Sequence, residues 1–82
     1  MDYHRAKTVE AVVNAVKPLL AGYEPEIQSA VLADLLATWL ACFQGPVKDQ
    51  AREDFLAGHI DLVRELVPIN EKALKDAGRI PD

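Results

Sequence analysis

Hydrophobic positions along this chain recur at steps of three and four residues, and no segment alternates with the period of two that marks a half-buried strand. In the first segment Val9, Val12, Val13, Val16, Leu19, Leu20 and Tyr23 fall on one helical stripe. The stripe runs through Pro18, whose missing amide leaves the Asn14 carbonyl without its helical donor. The pattern therefore predicts a helix over about residues 4–21, kinked or broken near Pro18 and stopped by Gly22.

A second helix is expected over about residues 25–44. Pro25 suits a first-turn position and Glu26 beside it suits the positive end of the helix dipole. Leu32, Leu35, Leu36, Trp39, Leu40 and Phe43 fill one broad face, which is expected to be core. Ala30, Ala33, Ala37 and Ala41 line the other, with Asp34 and Thr38 among them. Such a small face lets another helix approach closely, from this chain or from a second copy. An exposed alanine face is the plainer reading, since alanine is also the best helix former.

The third segment, about residues 46–67, carries apolar positions at Phe55, Leu56, Ile60, Leu62, Val63, Leu66 and Val67, with Asp54, Asp61 and Glu65 opposite. A residue before proline is disfavoured in helical geometry, so Val67-Pro68 is expected to end it. Asn70 then reads as an N-cap, Ile69 and Leu74 as a hydrophobic staple, and Gly78 as a stop. These signals predict a short fourth helix over about residues 71–77 and a frayed tail at 79–82. The expected architecture is a single all-α domain over residues 1–82: an antiparallel bundle of three long helices with a short fourth C-terminal helix.

Composition narrows what such a bundle can do. A chain of 82 residues buries only about 60% of its unfolded surface on folding. With half its residues hydrophobic but 6% aromatic, its interior must be built from Leu, Val, Ile and Ala. A margin this thin is often improved by self-association, so a homodimer is expected. Nine basic residues against thirteen acidic give a net charge of −4, and no face gathers the basic density that draws a protein to nucleic acid or anionic lipid. The longest apolar stretch, Ala30 to Phe43, is too short to span a bilayer and contains Asp34. The N-terminal MDYHRAKTVE lacks a signal-type apolar run, which makes a cytoplasmic location the expectation. The single cysteine allows no internal disulfide.

Little in the sequence carries chemistry. His59 stands in the apolar stripe of the third helix, level with about residue 31, and is expected to be half-buried and hydrogen-bonded, with Gln28 or Ser29 as the candidate partner. The functional alternative is a pH-sensitive element or a ligand contact, because imidazole ordinarily changes charge near neutrality. Cys42 sits near the C-terminal end of a helix, where the dipole opposes the negative charge of a thiolate nucleophile. His4, Cys42 and His59 lie in three separate segments, without CxxC, HxxxH or Glu-x-x-His spacing, so no metal and no cofactor is expected. There is no Gly-rich phosphate loop and no GxSxG. Ser29 lies too far inside its helix for a carrier-protein serine, and the third helix is too acidic for a DNA-reading helix.

Trp39 falls level with Arg52, whose stem could lie over the indole. With Phe43 this end of the bundle is the candidate pocket or docking patch, while an indole that merely plugs the bundle end is the plainer reading. The candidate interface or pocket residues are therefore Ala30, Ala33, Asp34, Ala37 and Ala41, together with Trp39, Phe43, Arg52 and His59. The expected function is that of a small non-catalytic helical protein acting by protein contact, with no nucleic acid and no membrane as partner. The alternative is a small-ligand binder using the Trp39, Phe43 and Arg52 end.

Overall fold

A computed structural model describes residues 2–82 and contains three helices, α1 (Tyr3–Leu20), α2 (Pro25–Ala41) and α3 (Lys48–Asp76), with no strand among those residues. The all-helical expectation holds. The chain divides into two compact units, one ending at Leu36 and the other spanning Ala37–Asp82, so that α2 contributes to both.

In the first unit, the Asp2 side chain caps α1 by accepting from the Arg5 amide at 2.8 Å. A carboxylate here both satisfies a free amide and complements the helix dipole. The helix continues through Pro18 to Leu20, so of the kink or break expected there the break does not occur. Counted at 3.6 residues per turn, Pro18 lies opposite the valine stripe, and the Asn14 carbonyl that loses its donor is on that same polar side, where water can serve it. The turn that follows has Gly22 at φ 87°, and the Gln28 side-chain amide donates to the Leu20 carbonyl at 2.9 Å, tying the start of α2 to the end of α1. Gln28, one of the two expected partners of His59, is thus engaged within its own unit. Pro25 and Glu26 open α2 as their chemistry suggests.

In the second unit, α2 ends at Ala41 and α3 begins at Lys48, short of the Gln44 end and the Pro46 start that the sequence suggested. No separate fourth helix exists among the described residues. The third helix runs unbroken through Pro68 to Asp76, a span of 29 residues. Pro68 stands on the charged side of the helix, as Pro18 does, and the Arg64 carbonyl it leaves without a donor is there as well. Asn70 is therefore an interior helical residue and not a cap.

The tail also departs from expectation. Gly78, at φ 71°, donates its amide to the Lys75 carbonyl, and the Arg79 amide donates to the Leu74 carbonyl at 2.8 Å. This is the Schellman arrangement, and it turns the chain so that Ile80 is half-buried rather than frayed.

The largest difference concerns the core. None of the described residues is buried. Leu36, Leu40 and Phe43 of the expected core face are half-buried, while Leu32, Leu35 and Trp39 are exposed at 53%, 57% and 42%. Each unit taken alone can only be more open still. Helical periodicity identifies the apolar face of each helix, but it does not supply enough neighbouring helices to cover it.

Candidate functional site

The second unit assembles four rings. Trp39 and Phe43, from the end of α2 and the residues after it, meet Phe55 and His59 of α3. Phe43 stacks on Phe55 with centroids 4.4 Å apart and planes 25° apart. Trp39 meets Phe43 edge-on at 5.5 Å and lies 6.0 Å from Phe55 and 5.7 Å from the half-buried His59. Positions 55 and 59 are one turn apart on α3, and the turn after Ala41 brings Phe43 back beside Trp39, so that two neighbouring pairs meet in one cluster. Such aromatic pairs are worth about 0.5–1.5 kcal/mol each beyond their buried area.

Arg52 belongs to the same end of this unit but does not lie over the indole. Its Nε donates to the Leu40 and Phe43 carbonyls at 3.1 and 3.2 Å, and its Nη2 donates to the Ala41 carbonyl at 3.2 Å. The Leu40 carbonyl also accepts from the Phe43 amide at 3.1 Å and the Ala41 carbonyl from the Gln44 side-chain amide at 2.9 Å, and the guanidinium adds a charged donor to these helix-end carbonyls at the negative end of the dipole. The cation–π contact found among the described residues is elsewhere, with Lys7 Nζ 5.7 Å from the centre of the Tyr3 ring. The expected Arg–Trp stack is replaced by a side-chain cap on α2.

The alanine stripe is divided between the units. In the first, Ala30 lines an open groove of about 510 Å³ with Ile27, Val31, Asp34 and Leu35, and Ala33 is exposed nearby in sequence. In the second, Ala37 and Ala41 line a smaller groove of about 320 Å³ with Leu40, Arg52 and Leu56. Cys42 is an exposed free thiol. Among the described residues no three His, Cys, Asp or Glu side chains are grouped to hold a metal ion, and no helix is long and apolar enough to cross a membrane.

A further groove, of about 450 Å³, went unrecognised in the sequence. Val63, Leu66, Val67, Asn70, Leu74 and Ile80 line it, with Glu71 at its edge. The signal was present, because the apolar positions stay in phase across Pro68. The local cap and pre-proline rules masked it. The chain matches no protein-family model, no curated protein and no solved structure.

Chemically, these surfaces offer apolar and aromatic contact. The one guanidinium at the aromatic end already serves three carbonyls, which leaves the rings and the open grooves as the features able to engage a partner.

Proposed function

We propose that this chain is a small non-catalytic helical protein that acts through protein contact and completes its hydrophobic interior by self-association as a homodimer. One observation carries the reading. No described residue is buried, while large hydrophobic side chains stand open along all three helices, among them Leu19 at 71% and Ile69 at 62% exposure. Covering a Leu, Ile or Val fully is worth about 1.5–3 kcal/mol, so a few such side chains on each copy outweigh much of the ordering that association requires. The antiparallel packing of the three helices forms part of the same proposal, as an arrangement inside the assembled dimer. A cytoplasmic location is proposed with it.

The ligand-binding alternative draws less support, because Arg52, the polar group that was to orient a ligand beside Trp39 and Phe43, is engaged with the backbone of α2 and the turn after it. Sedimentation equilibrium from low to high micromolar concentration tests the main reading. Twice the chain mass of 9.0 kDa is expected. A single monomeric species at high micromolar concentration overturns it.

A further inference from the structure

We propose that a second copy of this chain docks on the C-terminal half of α3, pairing the Val63, Leu66 and Leu74 face of each copy about a two-fold axis, with Asn70 against Asn70 of the partner subunit. The proposal rests on the self-association argued above and names the face that performs it.

The continuity of α3 is the first observation. Because the helix does not stop at Pro68, the residues on either side of it share one surface. At 3.6 residues per turn, the apolar residues between Ile60 and Leu74 cover about half the circumference, and the charged residues Asp61, Arg64, Glu65, Glu71 and Lys72 take the other half. Asn70 falls at the middle of the apolar half. A polar side chain there is not a cap, and its amide joins none of the side-chain hydrogen bonds among the described residues.

Val63, Leu66, Asn70 and Ala73 follow steps of three, four and three, the spacing of a helix–helix seam. One asparagine inside such a seam fixes register and the number of strands, at some cost in stability. Its amide is self-complementary, with a donor and an acceptor that can meet those of an identical residue across a two-fold axis.

Area is the second observation. Val63, Leu66, Val67, Ile69 and Leu74 are 36–62% exposed. With Ile60 and Leu62 they offer on the order of 600 Å² per copy, at the upper end of the roughly 300–600 Å² apolar patch of an ordinary monomer and near the roughly 800 Å² each partner gives to a standard interface. Ile80, folded back by the Gly78 turn, extends the same groove.

Charge is the third. The one ionised group lining this groove, Glu71, is already paired with Lys75 Nζ at 3.1 Å within its own helix. Two copies can approach without bringing unbalanced charges together. The comparable groove on α2 has two carboxylates in its wall, Glu26 and Asp34, against the single ion-paired one here.

Disulfide trapping distinguishes this face from the others. In the Cys42→Ser background, Asn70→Cys provides a single thiol, which is expected to form a covalent dimer under mild oxidation at protein concentrations where Leu35→Cys does not. Leu66→Glu should weaken association at least about tenfold by placing two carboxylates in an apolar contact, and Ala37→Glu should leave the mass unchanged. Asn70→Leu is expected to keep association but give a mixture of masses. If the wild-type chain is a dimer while Asn70→Cys stays uncrosslinked, this face is overturned and self-association stands. The face is equally overturned if Ala37→Glu alone dissociates the dimer. A monomeric wild-type chain removes both.

Discussion

Arg52 joins two helices with one planar group. Its three bonds to the Leu40, Ala41 and Phe43 carbonyls hold the end of α2 against α3. Removing the guanidinium takes a charged donor from all three, although the Leu40 carbonyl keeps the Phe43 amide and the Ala41 carbonyl keeps the Gln44 side-chain amide, at a cost of about 2 kcal/mol. For a chain of this size that is a fall of roughly 10 °C in thermal midpoint for Arg52→Ala, measured by circular dichroism at fixed protein concentration. Arg52→Lys should recover little of it, because an ammonium on a flexible stem does not reproduce the planar fork. Sequence spacing placed Arg52 at the level of Trp39. It could not choose between the indole face and the carbonyls of the helix end, because both favour a cation and the choice turns on where α2 stops. His59 was legible in the same partial way: its place on the apolar stripe was readable, its contact with the Trp39 ring was not.

The two prolines show where local rules mislead at the scale of the element. Pro18 and Pro68 each sit within an α-helix, on the side away from its apolar stripe. The residues around Pro68 supply every local sign of a helix ending and another beginning: a residue before proline, Asn70, and a hydrophobic pair at Ile69 and Leu74. Those signs are identical whether or not the helix is interrupted. The phase of the stripe distinguishes the cases, since Val63 and Leu66 before the proline and Leu74 after it fall on one face. Because α3 is continuous, Pro68→Ala restores a donor to the Arg64 carbonyl and relieves the crowded turn. It should then stabilise the protein by about 1–3 kcal/mol and raise the helical signal at 222 nm. Loss of stability on that substitution would indicate a turn at residue 68. By contrast, the start of α2 was fully legible, because Pro25 and Glu26 act through local geometry and charge alone.

For the molecule as a whole, the apolar face of each helix was readable from periodicity, but the openness of all the described residues was not. Burial depends on how many faces meet, and an 82-residue chain with three helices has few to offer. A protein whose interior is completed by a second copy is stabilised by mass action, so its thermal midpoint should rise with concentration, by about 1.4 kcal/mol of dimer stability for each tenfold increase. A midpoint independent of concentration over two decades would contradict the dimer. The ring cluster offers an optical means of separating the two levels of structure. Trp39 is the sole tryptophan, and its neighbours Phe43, Phe55 and His59 all belong to the Ala37–Asp82 unit. Its emission therefore reports whether the end of α2 is seated on α3, while sedimentation reports whether copies are joined. Dilution that dissociates the copies without shifting that emission would show that the ring cluster is an autonomous local fold; a shift in step with dissociation would show that even this cluster depends on the second copy.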